Sequence, residues 1–232
     1  VFYSTGNNDK ALDYYSRTIK IINEIGDKHA LGICLQNMGL VYGRKGNLEK
    51  TLNYYESALA IFEELDDKQL MGYALGNIGG YYINKGEYNK ALDYFFRCLK
   101  ILKEFGDKAD LGNCYNCIGV IYVNKGDYDT ALEYYTCSLK ILEEIDNKDK
   151  IVGSLGNIGV IYSSKGDYVR ALDYYNRSLK ICEEIGSKFG MGYVLANIGD
   201  VYISREEYGR AAEILRKALN IQKEIGLEEG DL

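Results

Sequence analysis

Proline and tryptophan are absent from the 232 residues, and histidine occurs once. With no proline to stop a helix, the boundaries of any helices fall to glycine and to capping side chains. The one histidine, His29, has no paired serine or cysteine, so no nucleophile–base arrangement can be drawn and no catalytic residues are assigned. No apolar stretch approaches the roughly 18 residues of a membrane span, so no membrane partner is expected. A formal net charge of −6 with no basic run argues against nucleic acid as the partner. Six cysteines at unrelated spacings, in a chain long enough to build its own core, point to a reducing, cytoplasmic setting rather than a disulfide framework.

What is present is repetition. The stretch from Leu155 to Lys188 reads LGNIGVIYSSKGDYVRALDYYNRSLKICEEIGSK, and close copies fill almost every other part of the chain. Its turn glycine, Gly166, has counterparts at Gly126, Gly86, Gly46 and Gly6, each 40 residues from the next. A fixed period in this range signals a solenoid, in which each unit touches only its neighbours. From Asn147 to Ser164, Ile151, Leu155, Ile158 and Tyr162 recur at spacings of three and four, the stripe of an amphipathic helix. From Asp167 to Glu184, Tyr168, Ala171, Leu172, Tyr175, Leu179 and Cys182 do the same. The unit is therefore a pair of helices, each about 17 residues and roughly 25 Å long. Strand-like alternation is absent.

The punctuation agrees with the stripes. Gly26, Gly106, Gly186 and Gly226 sit just past the end of a second helix, where a left-handed residue is wanted. Asp27, Asp67, Asp107, Asn147 and Ser187 come next to these joints, and each can cap the following helix. Gly26, Gly106 and Gly186 are expected at positive φ, with a strained or altered joint where Asp66 and Asp146 stand instead.

The expected organisation is a partial repeat over 1–25, then full repeats over 26–65, 66–105, 106–145, 146–185 and 186–225, with 226–232 opening a further one, all in one solenoid domain. Val1 to Thr5 align with Ile161 to Lys165 as the end of a first helix, leaving Asn8 to Ile25 as an orphan second helix. Both ends look cut from a longer protein. Leu12, Tyr15 and Ile19 would then lack their cover, a strip suited to self-association. The fifth pair departs from the others. Glu206 replaces the turn glycine, Ala212, Ile214 and Leu215 replace larger residues, and Arg205, Arg210, Arg216 and Lys217 make it more polar. A capping unit and a continuing array both remain open.

Asn157, Ile158, Gly159, Tyr162, Gly166, Tyr168, Ala171 and Tyr175 resemble the tetratricopeptide signature, with small-residue positions at Gly159, Ala171 and Ser178. The resemblance covers essentially the whole chain. It implies an all-α fold, a right-handed α-solenoid of antiparallel helix pairs with about five and a half repeats, whose first helices line a concave face. The unit is six residues longer than the usual 34 and lacks the family's proline. In this it is similar to the repeats of LGN/Pins-type spindle adaptors, kinesin light chain and many bacterial signalling proteins.

Several constellations have plain structural readings. Tyrosine occurs 23 times, and Tyr14 with Tyr15, Tyr54 with Tyr55, Tyr134 with Tyr135 and Tyr174 with Tyr175 recur in register with the helix stripe, as packing residues that keep a hydroxyl near water. Gly39, Gly79, Gly119, Gly159 and Gly199 repeat within first helices, where close packing rather than a phosphate loop explains them. Gly153 and Gly156 are not repeated consistently, which suits open space on the concave face. Cys114 and Cys117 form a CxxC, but they lie mid-helix and no second pair supplies four zinc ligands, so no metal site and no cofactor are expected. Cys114 shares its register with Cys34, Ala74 and Ser154, a slot for small residues. Glu143 with Glu144 and Glu183 with Glu184 read as a solvated face.

Asn37, Asn77, Asn157 and Asn197 occupy one place in four first helices, with Cys117 in the other. In LGN-type adaptors and kinesin light chain the matching asparagines form a ladder on a peptide backbone, and a carboxamide offers donors and an acceptor for that task. The alternative, that each asparagine only supports the stack, stays open. Ile33, Gln36, Leu40, Arg44, Tyr73, Gly76, Gly80, Asn113, Asn116 and Val120 share the expected face, followed by Gly153, Gly156, Val160, Tyr193, Ala196 and Asp200. Lysine is absent there and arginine appears once, so the carboxylate clamp of chaperone-binding relatives is not expected. A neutral to partly apolar segment fits better. The site residues expected to bind a peptide are Asn37, Asn77, Asn157, Asn197, Tyr73, Asn113, Asn116, Tyr193 and Arg44. The expected function is a non-enzymatic scaffold for protein or peptide partners within a larger signalling or regulatory protein; the alternative is a structural module that stacks end to end.

Overall fold

The computed structural model describes residues 8–226, so the readings made for Val1 to Thr5, Gly6 and the stretch after Gly226 lie outside the described residues. Among the described residues every regular element is an α-helix. In chain order these are α1 (Asn8–Ile25), α2 (Lys28–Arg44), α3 (Leu48–Glu64), α4 (Lys68–Asn84), α5 (Tyr88–Phe105), α6 (Lys108–Asn124), α7 (Tyr128–Glu144), α8 (Lys148–Ser164), α9 (Tyr168–Ile185), α10 (Lys188–Ser204) and α11 (Tyr208–Glu224). Two compact units divide the chain, Val1–Cys117 and Ile118–Leu232, with the boundary inside α6. Within each unit, helices pack against their sequence neighbours, the arrangement of an α-solenoid.

The capping residues set the boundaries. Asp27, Asp67, Asn147 and Ser187 accept the backbone N–H of Ala30, Leu70, Lys150 and Gly190, each three residues on. Asn47, Asp127 and Asp167 do the same for second helices. At Glu87 and Glu207 the longer side chain makes no such bond. Both glutamates instead pair with neighbouring cations, Lys90 at 2.6 Å and Arg210 at 2.6 Å.

Glycine brings the two helices of a pair together. A Cβ on Gly39, Gly79, Gly119 or Gly159 would lie 2.5–2.7 Å from the ring of Tyr55, Phe95, Tyr135 or Tyr175. These four rings are buried. In the last pair Leu215 takes the ring's place over Gly199, at 2.5 Å from the same imagined atom. The second helix then packs on the next first helix. In the Ile118–Leu232 unit, Ala131, Tyr135, Leu139 and Leu142 form a core with Ile151, Leu155, Ile158 and Ile161. Ala171, Tyr175 and Cys182 do likewise with Val194, Ile198 and Val201. Wholly burying a side chain of this size contributes about 1.5–3 kcal/mol.

Small residues meet where helices touch, both within a pair and between one pair and the next. Ser138 and Ser154 share a buried hydrogen bond of 3.1 Å, and Ser178 donates to the Val152 carbonyl at 3.2 Å. In the other unit Cys98 donates to the Gly72 carbonyl at 3.2 Å and Cys114 to that of Phe95 at 3.5 Å. Surface ion pairs recur with the same period. Lys28 with Glu64, Lys148 with Glu184 and Lys188 with Glu224 each tie the start of a first helix to the end of its partner. Such exposed pairs contribute about 0–1 kcal/mol each.

The joints hold one correction. Gly26 and Gly186 are left-handed, at φ 78° and 67°, and Asp66, Asp146 and Glu206 adopt the same region without being glycine, at 52°, 49° and 62°. Gly106, expected in that group, is extended at φ −92° and ψ 161°. Its amide still bonds Leu102 O, but the backbone bond that closes the other joints from the following residue, as Ser187 N to Cys182 O does, is not formed by Asp107. Asp107 instead caps two residues ahead, on Ala109 N at 2.7 Å, which leads the chain into α6 by a different path. The strip on α1 also differs from a bare face: Leu12, Tyr15 and Ile19 are half-buried.

Two substitutions test the packing. Gly159→Ala should lower stability by about 1–2 kcal/mol, because forcing the Tyr175 ring aside outweighs the gain in helix propensity. Gly80→Ala, where an added Cβ meets nothing within 4 Å, should raise it by up to about 1 kcal/mol. Urea unfolding followed by circular dichroism reads both, and equal effects would sink the close-packing account. At the joint, Gly186→Ala should cost about 1–2 kcal/mol in the same assay, since alanine at φ 67° is strained.

Candidate functional site

Five helices, α2, α4, α6, α8 and α10, carry the residues singled out for a groove, and the 40-residue register sorts them into columns. Ile33, Tyr73, Asn113, Gly153 and Tyr193 are the most exposed column. Gln36, Gly76, Asn116 and Ala196 are half-buried, and Gly156 is buried. The ladder column, Asn37, Asn77, Cys117, Asn157 and Asn197, is half-buried throughout. Leu40, Gly80, Val120 and Val160 are half-buried, whereas Asp200 and Arg44 are exposed. Each column lies beside the buried side of its helix, which residues such as Ala74, Ile78, Leu155 and Ile158 fill, all of them wholly buried.

The asparagines differ in what they do. Asn197 donates its Nδ2 to the Tyr193 carbonyl at 3.2 Å, a bond within its own helix turn. Asn77 instead lines two adjoining clefts in the Val1–Cys117 unit. One, of about 160 Å³, lies between α4, α5 and α6 and is lined by Gly76, Gly80, Phe95, Cys98, Leu102 and Asn113, among others. The other, of about 340 Å³, lies between α3 and α4 and includes Thr51, Tyr55, Tyr81 and Asn84. Gly76, Asn77 and Gly80 belong to both, so α4 forms the partition. Tyr73 stands at the rim of the smaller cleft and donates to the carboxylate of Asp110; that bond, then burial, raises the tyrosine's pKa. The structure thus brings Tyr73, Asn77, Asn113 and Cys117 to one cleft. Asn157 and Asn197 sit on α8 and α10 of the other unit.

The cysteines of the CxxC do not act as a pair. Cys114 is buried, its thiol donates to the Phe95 carbonyl, and the thiol it faces is Cys98 on α5. The neighbouring Cys98 thiol, then burial, pushes the Cys114 thiol up. Among the described residues no group of three or more His, Cys, Asp or Glu side chains could hold a metal ion. Among them, too, no helix is long and apolar enough to cross a membrane.

Some contacts are not legible in the sequence. Asp110 and Cys98 enter the cleft from positions that the groove columns do not include. A spacing of 16 residues could have paired Cys98 with Cys114, because Ser138 and Ser154, at the same spacing, also meet. In three of the doublets the first tyrosine has a different role from the second. Tyr54, Tyr134 and Tyr174 stack on Tyr42, Tyr122 and Tyr162 with ring centroids 5.3–5.5 Å apart. Cations cover two of these stacks, Lys50 over Tyr42 and Arg170 at 4.3 Å from the Tyr162 centroid. Glu143, read as solvated, reaches Arg177 at 3.3 Å, and exposed His29 lies 3.3 Å from Asp67.

The fold has many relatives. None of the curated proteins matches this sequence. Among solved structures, BtubC (BKLC) from P. vanneervenii is 20% identical with a TM-score of 0.83, over 97% of this chain and 95% of that one. A Rap protein complexed with Competence and Sporulation Factor is 18% identical with a TM-score of 0.73, over 96% of this chain and 72% of that one. PH0952 from Pyrococcus horikoshii, a signal transduction ATPase with a tetratricopeptide repeat sensor, is 19% identical with a TM-score of 0.74; the match takes in 92% of this chain and 37% of that one. At these identities the likeness shows the fold alone. The family model for the tetratricopeptide repeat matches residues 1–64, 70–144 and 150–224, nearly the whole chain. With helix pairs, capped joints and glycine-seated rings all in that register, the chain belongs to the tetratricopeptide repeat family, a non-catalytic scaffold for protein interaction.

Proposed function

We propose that the chain is a peptide-binding scaffold whose first helices hold a neutral to partly apolar segment of a partner protein, as part of a larger cytoplasmic signalling or regulatory protein. The observation that carries this reading is the chemistry of the exposed first-helix columns. They hold half-buried carboxamides beside apolar and glycine positions, and in the Val1–Cys117 unit two clefts open on either side of Asn77. A peptide laid there would exchange bonds to water for bonds to Asn37 and Asn77 in a partly dry groove, each worth about 0.5–1.5 kcal/mol net. In the other unit Asn157 and Asn197 would serve the same way, Asn197 after giving up its bond to Tyr193. Tyr73, Tyr193, Asn113, Asn116 and Arg44 would supply the flanking contacts. The setting is supported by two neighbours of the same fold, one solved with a bound factor and one whose repeats are described as a sensor.

A selection of binding peptides tests this without the natural partner. Peptides selected from a displayed random library against the whole chain should compete with one another for one region. Asn37→Ala with Asn77→Ala should weaken them by about 1–3 kcal/mol, roughly five- to 150-fold. Helix content by circular dichroism should hold or rise, because alanine is the better helix former. Undiminished affinity would move the site elsewhere, and lost helicity would assign the asparagines to the stack.

A further inference from the structure

The smaller cleft exists because α4 departs from its own repeat. At the place of Gly80 the other first helices carry Leu40, Val120, Val160 and Asp200, and at the place of Gly76 they carry Gln36, Asn116, Ala196 and, in α8, a second glycine, Gly156. A Cβ at Gly80 would meet nothing within 4 Å, and one at Gly76 only Cys98 Sγ at 3.9 Å. The missing side chains leave about 160 Å³ above a floor of Phe95, Cys98 and Leu102. That is close to the roughly 150 Å³ cavity that holds a benzene ring in an apolar protein core. The floor is apolar and soft, and a thioether-like or aromatic contact with its sulfur and ring is favourable.

The mouth of the cleft is not neutral. Asp110 is the one charged residue that lines it, and the Tyr73 hydroxyl donates to its carboxylate. Among the described residues no ion pair joins Asp110 to a lysine or arginine. Asp107 adds a second negative charge close enough to act on Tyr73. The larger cleft on the other side of α4 has no charged lining residue, so the acidic mouth distinguishes this one.

We propose that this cleft is an anchor pocket for one benzene-sized apolar side chain, of the size of phenylalanine or leucine, carried by a partner segment that sets a cationic group against Asp110. The proposal rests on the peptide-groove reading and names the chemistry of its occupant. Size selects the anchor: the floor is closed by Leu102 and Phe95, so an indole overfills it and a methyl group leaves it part empty. Charge selects the neighbour. A lysine or arginine beside the anchor meets Asp110 and Tyr73 at the rim, whereas a carboxylate there is repelled by Asp107 and Asp110 in a site of lowered dielectric. Asn77 and Asn113 flank the opening and can bond the segment's backbone on either side.

Three one-ring probes test the pocket without any partner: phenethylamine, phenethyl alcohol and phenylacetate. Each is titrated to millimolar concentration into the whole chain, with amide shifts of Gly76, Gly80 and Asn113 followed by nuclear magnetic resonance. The shifts should saturate, with affinity falling in the order amine, alcohol, carboxylate. Gly80→Val fills the space with the residue the chain itself carries at Val120 and Val160, so it should fold normally and weaken all three probes by about tenfold or more. Asp110→Asn should keep alcohol binding and sharply reduce the preference for amine over carboxylate, Asp107 retaining the remainder. Absence of saturable shifts at these amides, or binding undiminished in Gly80→Val, would overturn the pocket. Equal affinity for amine and carboxylate in the unmodified chain would overturn the cationic neighbour. Peptides from the library selection should carry Phe or Leu next to Lys or Arg and lose affinity in Gly80→Val. If instead they bind through Asn37 and Asn77 and ignore Gly80→Val, the groove stands and the anchor pocket does not.

Discussion

The close approach of a first helix to its second depends on an absent side chain. At Gly39, Gly79, Gly119 and Gly159 there is no Cβ, and an aromatic ring from the partner helix occupies the space. Everything else in a pair follows from that contact. The ring locks the rotation of the second helix, which decides which of its residues face the next pair and which face water. Beside that contact on the first helix, Asn37, Asn77, Asn157 and Asn197 stay only half-buried. Helix propensity is given up by about 1 kcal/mol at each such glycine, and burial of the ring offsets it.

Most of the architecture was legible because each local rule has a single favoured solution and the chain states it repeatedly. The capping residues Asp27, Asp67, Asn147 and Ser187 and the stripe residues Leu155 and Ile158 fix where helices begin and which face is buried. Gly106 was misread because a glycine permits the left-handed region without requiring it, and the path into α6 is chosen by Asp107 and Ala109 together. Asp66 and Asp146 show the converse, since each takes the left-handed conformation that glycine would have made easy.

The candidate site was half legible. The register showed that the asparagines share a place on their helices, which is a statement about one helix at a time. It did not show that Asn77 borders two clefts while Asn197 turns back on Tyr193, since that depends on what the neighbouring helices leave empty. Asp110 was invisible for a similar reason. It lies near the start of α6, outside the columns read as a face, yet it lines the cleft and meets Tyr73 of α4 there. Cys98 was hidden on a second helix, and the CxxC drew attention to a neighbour in sequence rather than to the thiol it meets.

The buried contacts between successive pairs, Ser138 with Ser154 and Cys98 with Cys114, are made by side chains of one heavy atom beyond Cβ. Within each unit their size therefore acts as a ruler. One more methylene at such a position would widen the step from one first helix to the next, and the step sets the pitch of whatever those helices display. A peptide backbone has its own repeat of about 3.3 Å per residue when extended. Whether rungs and repeat stay in phase is then decided from behind the groove, by residues that no ligand touches.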